Sequence, residues 1–215
     1  MKKLNVLALS AAIAAASLTT TGTALAGVTA NVGAASNYLW RGTSLSNEGA
    51  AVSGGVDYSH DAGAYAGIWV SSEGLAGATG ETDLYVGFAG EAEGISYDVG
   101  YIEYMYTQID PSVDFSEIYF SVGYEFAEFF YANSSDVVIG TGEGSDYMAL
   151  TLSYDNFSFT YGDYGFDDSS NDYAHYDLGV ALTDELSLTY SKNDIDGSEG
   201  DGRFVVSYGL EFDVK

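Results

Sequence analysis

The feature that most constrains the fold of this sequence is a period-two alternation of apolar and polar residues. In the last stretch, apolar residues occupy every second position from Phe204 to Val214, with Ser207, Gly209 and Glu211 among the residues between them. Similar patterns run through 117–126 and 175–182, and no segment sustains the spacing of an amphipathic helix. Such alternation predicts β-strands with one apolar and one polar face.

Turn signals divide the chain into twelve predicted strands. These lie near 28–42, 50–58, 64–71, 82–90, 95–106, 115–126, 129–134, 146–154, 157–164, 173–182, 186–192 and 203–214. Long acidic connections, such as Thr43–Gly49 and Ser135–Ser145, alternate with short ones, such as Glu91–Gly94. Alternating long and short connections are typical of outer-membrane barrels, which have short periplasmic turns and longer external loops.

We therefore predict an all-β fold, a 12-stranded antiparallel up-and-down transmembrane β-barrel that forms a single domain over residues 27–215. Aromatic residues near strand ends, such as Tyr38-Leu39-Trp40 and Tyr154 with Phe157, fit the two membrane interfaces. The alternative is a secreted soluble β-sandwich.

The first 26 residues predict a secretory signal peptide. Lys2 and Lys3 precede an apolar run from Leu4 to Ala16, and Ala24-Leu25-Ala26 resembles a cleavage site. The run is shorter than the about 20 residues that a spanning helix needs. We therefore expect residues 1–26 to be cleaved, and the barrel to reach the outer membrane of a Gram-negative bacterium.

Charge and composition exclude several classes of function. With 6 Lys and Arg against 32 Asp and Glu, the net charge is −26, which excludes electrostatic capture of nucleic acid. The absence of cysteine excludes disulfides, thiolate metal sites and thiol catalysis.

The stretch from Ala30 to Ser72 resembles the opening of the TorF family of proposed porins of Gram-negative outer membranes. The matching positions are Tyr38, Arg41, Gly42, Ser44, Ala51, Val52, Gly54, Gly55, Asp57, Tyr58, Gly63, Tyr65, Gly67 and Trp69. Leu45 and Ala50 depart from the family pattern, in which Gln and Pro are common. The resemblance implies a porin-like barrel without defining its substrate.

Polar-face residues supply the candidate lining of a pore. Arg41 ends the first predicted strand and Arg203 begins the last, so both are expected side by side near the external mouth. They either clamp the closing seam through salt bridges to polar-face acids such as Asp57, Asp83 or Asp177, or line a selective constriction. The full set of candidates is Arg41, Arg203, Asn37, Asp57, Asp83, Tyr85, Tyr104, Tyr119, Asp177 and Glu211.

The last long connection is rich in oxygen ligands and glycine. Asp194, Asp196, Glu199 and Asp201 are weak Ca²⁺ candidates, although the spacing of an EF-hand is missing. The alternative is a solvated loop. No other cofactor is expected.

The two histidines, His60 and His175, do not predict an active site. Ser59-His60-Asp61 lies in a predicted turn, and no Gly-x-Ser-x-Gly motif surrounds either histidine. We therefore do not expect an enzyme.

The predicted function is passive diffusion of small hydrophilic solutes through a narrow channel, with a preference for cations. Outer-membrane lipid and lipopolysaccharide are the expected partners, and the sequence does not define an oligomeric state. The alternatives are a non-conducting structural or adhesive barrel that acts through its acidic external loops, and a lipid-modifying barrel enzyme.

Overall fold

The computed structural model describes residues 27–74, 78–107, 114–138 and 143–214. The predicted signal peptide lies outside these residues. The strands are β1 (Gly27–Ala35), β2 (Leu39–Trp40), β3 (Thr43–Ser44), β4 (Ala51–Ser59), β5 (Ala64–Ser71), β6 (Glu81–Ala92), β7 (Ile95–Tyr106), β8 (Phe115–Tyr124), β9 (Ala127–Val138), β10 (Glu143–Tyr154), β11 (Phe157–Phe166), β12 (Tyr173–Ala181), β13 (Leu186–Asn193) and β14 (Arg203–Val214). None of the helices in the described residues is long and apolar enough to cross a membrane.

Twelve of these strands form a closed antiparallel barrel. The strand order around the ring is β1-β14-β13-β12-β11-β10-β9-β8-β7-β6-β5-β4, and β4 pairs with β1 again. The seam between β1 and β14 runs in continuous register from the pair Val28–Val214 to the pair Ala35–Ser207. Closure leaves no open sheet edge, and it confirms the predicted fold class.

The two ends of the barrel differ in their connections, as the sequence predicts. At the short-turn end, β4–β5, β6–β7, β8–β9, β10–β11 and β12–β13 are joined by residues 60–63, 93–94, 125–126, 155–156 and 182–185. The turn Glu93-Gly94 has φ of 55° and 82°, as a type I′ hairpin requires. The other end is the long-loop end, where the connections of β1–β4, β5–β6, β7–β8, β11–β12 and β13–β14 lie.

Two strands are longer than the sequence predicts. β9 continues to Val138 and β10 starts at Glu143, so the predicted loop Ser135–Ser145 is wrong in extent. The two strands pair across this region with a register shift between Glu143 and Ser145. A register shift of this kind is a departure from regular strand pairing. A strict period-two pattern of apolar residues therefore does not predict that these polar residues belong to strands.

The barrel is apolar outside and mixed inside. Outward residues such as Val56, Val86, Val99, Phe120 and Leu150 expose between 41% and 54% of their surface. The intervening residues face the lumen, where many are buried. This distribution is the reverse of that of a soluble domain, whose large apolar side chains turn inward.

Tyrosine rings fill space that glycines leave on the inner wall. A Cβ atom at Gly67, Gly87 or Gly100 would lie 2.4, 2.1 and 2.4 Å from atoms of Tyr85, Tyr65 and Tyr119, respectively. These inward glycines therefore seat aromatic rings rather than widen an open channel.

The predicted first strand, 28–42, is wrong at its C-terminal part. β1 ends at Ala35, and the chain then enters the lumen before it returns to the wall at Ala51. Tyr38, Leu39 and Trp40 have exposed fractions of only 0%, 2% and 7%. They consequently do not belong to an interfacial girdle.

Closure of the seam can be tested with a disulfide, since the chain has no cysteine of its own. Ala35 and Ser207 are register partners, so Ala35→Cys with Ser207→Cys should cross-link on mild oxidation. In the matched control, Ala35→Cys with Gly209→Cys, the residues are two positions out of register, about 7–8 Å apart, beyond the reach of an unstrained disulfide. Non-reducing electrophoresis of the folded protein distinguishes the two, and equal cross-linking would contradict the register.

Candidate functional site

The candidate functional site is the segment 36–50, which folds into the lumen between β1 and β4 and is called here the lumenal hairpin. Its two short strands pair through Leu39–Ser44 and Trp40–Thr43. The turn between them is Arg41-Gly42, with φ of 49° and 78°. Positive φ at both positions defines a type I′ turn, which places Arg41 at the tip.

Hydrogen bonds within the lumenal hairpin hold its base together. The hydroxyl oxygens of Ser44 and Ser46 lie 2.7 and 3.0 Å from Oδ1 of Asn37. The backbone N–H of Tyr38 donates to Oγ of Ser46 at 2.8 Å, and the N–H of Leu45 donates to the carbonyl of Tyr38 at 2.8 Å. Asn37, predicted to line the pore, is therefore part of the hairpin itself.

Arg41 fixes the hairpin tip to the opposite wall. Its two terminal nitrogens donate to the two carboxylate oxygens of Glu117 on β8, at 2.8 and 2.7 Å. Around the ring, β8 is five strands from β1 in one direction and seven in the other. Both side chains are buried, with exposed fractions of 6% and 2%. A bidentate pair of this kind is among the stronger hydrogen-bonded contacts in proteins.

Aromatic rings surround the Arg41 guanidinium. Its Cζ atom lies 4.4, 4.2 and 4.9 Å from the ring centroids of Trp40, Tyr147 and Tyr164. Tyr104 donates to Glu117 at 3.1 Å, so the carboxylate of the pair has a further donor. The surroundings thus compensate part of the cost of burying both charges.

Three further contacts attach the lumenal hairpin to the wall. Nδ2 of Asn193 donates to the carbonyl of Gly42 at 2.8 Å, and Nε of Arg203 lies 3.0 Å from Oε1 of Glu48. Any Cβ atom at Gly42 would lie 2.4 Å from Cβ of His175. The tip therefore packs directly against β12.

Tyr38 attaches the hairpin to β6. Its phenol donates to Oε1 of Glu81 at 2.9 Å, and its ring centroid lies 5.9 Å from that of Trp69. Burial, reinforced by the charges of Glu81 and Asp83, raises the pKa of Tyr38 well above its usual value. The phenol therefore keeps its proton and remains a donor.

Hairpin and wall together form one apolar cluster inside the barrel. Its buried members are Tyr38, Trp40, Leu45, Ala51, Tyr65, Trp69, Tyr85, Ile102, Tyr104, Tyr106, Phe115, Tyr119, Ala132, Tyr147, Ala149, Tyr164 and Tyr173. The predicted lining residues Tyr85, Tyr104 and Tyr119 all belong to it. This packing narrows the lumen in its long-loop half.

Towards the short-turn end, the inner wall carries the acids Asp57, Asp98, Glu128 and Glu211. Asp57 accepts hydrogen bonds from Asn31, at 3.1 Å, and from Tyr85. Tyr65 donates to Asp98 at 2.6 Å. No Lys or Arg of the described residues lies on this part of the wall. The described side chains of this part of the wall are therefore acidic without a basic partner on the wall.

The two arginines do not lie side by side as predicted. Arg41 is in the hairpin rather than on β1, and it pairs with Glu117. Arg203 begins β14, where its register partner is Ser191, and it pairs with Glu48. None of the acids expected as partners, Asp57, Asp83 or Asp177, binds either guanidinium in these contacts. The inward turn after Ala35 is the reason, because it moves Arg41 across the barrel.

Other predicted residues lie apart from the hairpin tip or only border it. Asp177 lies 3.4 Å from Nδ1 of His175, whose Nε2 lies 2.9 Å from the hydroxyl of Tyr147. His60 is exposed at the short-turn end, where its Nδ1 accepts from the N–H of Ala62.

The Ca²⁺ candidates remain a prediction. Asp194 accepts a hydrogen bond from the N–H of Ala174 at 2.8 Å. Within the part of the chain that the structure describes, no three acidic or histidine side chains are grouped to hold a metal ion. The side chain of Glu199 lies outside that part.

Glu117, Glu81 and Trp40 are the functional residues that sequence reasoning missed. Alternation places Glu117 on the inner face of its strand, and Glu81-x-Asp83 places two acids on one face. The dipeptide Arg41-Gly42 is also compatible with a two-residue turn, and this signal could have revealed the hairpin.

A family model described as "Bacterial protein of unknown function (Gcw_chp)" matches residues 19–201. No curated protein is similar enough in sequence to count as a relative. The family found does not test the resemblance to TorF-family porins, which stays a prediction.

Solved structures of porins have a similar fold. The "KdgM porin" has a TM-score of 0.53 at 5% identity over 87% of this chain and 99% of that chain. The "KdgM porin in complex with disordered oligogalacturonate" has a TM-score of 0.51 at 6% identity over 88% and 99%. At such identities the likeness concerns the fold alone.

Breaking the ion pair at the hairpin tip should be costly. Glu117→Gln leaves the buried Arg41 charge without its counter-charge, so we expect a loss of about 3–5 kcal/mol in the free energy of unfolding. Arg41→Met combined with Glu117→Leu should lose less than Glu117→Gln, because no buried charge remains. Urea titrations followed by tryptophan fluorescence measure both.

The matched control is Glu48→Gln, which breaks the other arginine pair. Glu48 is 62% exposed, so we expect a loss of at most about 1 kcal/mol. Equal losses in the free energy of unfolding for Glu48→Gln and Glu117→Gln would show that the Arg41–Glu117 pair stabilises the protein no more than the Arg203–Glu48 pair does.

Proposed function

The chain belongs to the Gcw_chp family of bacterial proteins of unknown function, and we propose that it forms a porin-like channel in the outer membrane of a Gram-negative bacterium. The observation that carries the proposal is the closed ring of strands with an apolar outer surface and an inner wall that carries acidic side chains. Closed barrels and helices are the structures that satisfy all backbone hydrogen bonds in lipid.

The outer surface supports insertion in a membrane. Exposed aromatic residues ring the short-turn end, where Tyr124, Phe126, Tyr154 and Phe157 have exposed fractions of 57%, 56%, 83% and 60%. Outward acids, such as Glu103, lie nearer to the long-loop end, where Tyr101 donates to Glu103. An apolar belt between aromatic girdles is typical of outer-membrane barrels. The short-turn end would then face the periplasm, and the long loops would meet lipopolysaccharide.

The inner wall supports passage of small cationic or neutral solutes. Asp57, Asp98, Glu128 and Glu211 lie towards the periplasmic end, and the two lumenal arginines are already paired with carboxylates. The oligogalacturonate bound by the KdgM porin is an anion, and the acidic wall of this barrel disfavours such a ligand. A ring of twelve strands also encloses a narrower lumen than porins of 16–18 strands.

In the proposed mechanism, the lumenal hairpin controls the bore. It crosses the lumen and ends on β8, so a solute has to pass beside it or displace it. Removing the tip would open the long-loop half. We propose no enzymatic role, because the two histidines lie at opposite ends of the barrel, where His60 accepts from the N–H of Ala62 and His175 lies beside the hydroxyl of Tyr147.

The second candidate is a non-conducting barrel that acts through its external loops. The observation that favours it is the apolar cluster of hairpin and wall residues, which narrows the lumen in its long-loop half. Conductance decides between the two candidates.

We expect the wild-type protein, refolded and inserted in a planar bilayer, to conduct weakly. Trp40→Ala combined with Arg41→Ala removes the tip contacts and should raise the single-channel conductance at least about threefold, as a wider bore conducts more ions. The control is Glu48→Gln, which leaves the tip in place. Absence of current from both wild type and the tip variant would favour the non-conducting barrel.

The open tip variant should prefer cations. Under a salt gradient, its reversal potential should have the sign of cation selectivity, because charged groups in a pore set its ion preference. Glu128→Gln combined with Glu211→Gln should bring that potential closer to zero. Glu103→Gln, an outward neutralisation of the same kind, should leave it unchanged. If Glu128→Gln combined with Glu211→Gln left the reversal potential unchanged, the proposed role of these two acids in ion selectivity would be wrong.

A further inference from the structure

A second polar cluster lies where the lumenal hairpin meets β6. Glu81 and Asp83 occupy successive inward positions at the long-loop end of this strand. Their exposed fractions are 2% and 0%. The aromatic side chains of Trp69, Tyr104 and Tyr106 stand on the neighbouring strands in register with them.

Three of the four carboxylate oxygens of this cluster lack a hydrogen-bond donor among the described residues. Oε1 of Glu81 accepts a hydrogen bond from Tyr38 at 2.9 Å. Oε2 of Glu81 and both carboxylate oxygens of Asp83 have no hydrogen-bond partner among the described residues. A buried carboxylate without donors is costly, so oxygens of this kind call for a partner.

No cation of the described residues fills that role. Arg41 directs both terminal nitrogens to Glu117, and Arg203 pairs with Glu48. Lys192 is exposed on β13. Glu117 also acts electrostatically on Asp83. One guanidinium therefore faces three buried carboxyl groups in this half of the lumen, and among the described residues Glu81 and Asp83 have no cationic side chain as a partner.

We propose that Glu81 and Asp83 bind a hard divalent cation, Mg²⁺ or Ca²⁺, at the junction of the lumenal hairpin and β6. A dication cancels two carboxylate charges, and carboxylate oxygens are the ligands that these ions prefer. Mg²⁺ in particular is commonly held by one or two carboxylates and completed by water. The site does not need a third acid, and within the described residues no such group of three exists.

The bound cation has a structural consequence for the hairpin. It holds the carboxylate of Glu81 in place, and that carboxylate accepts the hydrogen bond from Tyr38. The ion thereby strengthens the attachment of the hairpin to β6, at a distance from the Arg41–Glu117 contact. The proposed cation site is separate from the acids of the β13–β14 connection. The proposal also does not depend on whether the barrel conducts ions.

The first test is thermal unfolding of the refolded full barrel at neutral pH, in EDTA or in excess MgCl₂ or CaCl₂. We expect the divalent salt to raise the midpoint of the wild type by on the order of 5 °C. Asp83→Asn should show no such rise, and in EDTA it should be more stable than the wild type, because it removes an unpaired charge. Asp194→Asn is the matched control, a neutralised loop acid, and should respond like the wild type.

The second test reads the site locally through Trp69. The chain has two tryptophans, so Trp40→Phe leaves Trp69, whose ring lies 5.9 Å from that of Tyr38. Its emission should shift saturably with MgCl₂ or CaCl₂, and Asp83→Asn should abolish the shift. If neither ion changes the emission while pH alone does, the two carboxyl groups share a proton and the proposal is wrong. A wild-type midpoint that is the same in EDTA and in divalent salt would also overturn it.

Discussion

The hydrogen-bonded ladder between the first and last strands is the interaction on which the rest of the structure depends. It joins residues 28–35 to 207–214 and converts a twelve-stranded sheet into a ring. Without it, β1 and β14 would present free edges, and the apolar outer face would have no closed backbone beneath it. Closure also creates a lumen. The many acids and tyrosines of the chain are thereby divided between the lumenal face and the outer face.

Inside the ring, charge and packing act against each other. The acids of the inner wall favour contact with water, whereas the tyrosine and tryptophan rings favour a dry core. The lumenal hairpin resolves this conflict in the long-loop half by bringing one arginine to Glu117 and apolar rings to the wall. The short-turn half keeps its acids on a wall without Lys or Arg among the described residues.

The strands were largely predictable, because a period of two is a local property that the sequence displays directly. The same property explains the main error. Tyr38 and Trp40 alternate with their neighbours as β1 does, so nothing local separates a wall strand from a hairpin. The distinction is made by Glu117 and Glu81, which lie 76 and 43 residues away from Arg41 and Tyr38.

The extensions of β9 and β10 were not predicted for a related reason, since their polar ends are held by cross-strand pairing rather than by alternation. For the candidate site residues on regular strands, the alternation shows which side of the barrel wall each side chain faces. It does not show which other residue that side chain binds.

The position of the lumenal hairpin between β1 and β4 has a consequence for assembly. The seam joins the start of the barrel to its end, with Val28 opposite Val214, so the ring cannot close until the last strand is in place. Contacts between such distant parts of a chain form late in folding. The hairpin belongs to the beginning of the chain and is enclosed when the seam forms. Its place inside the ring is thus compatible with the connectivity without any threading of the chain through a closed cylinder.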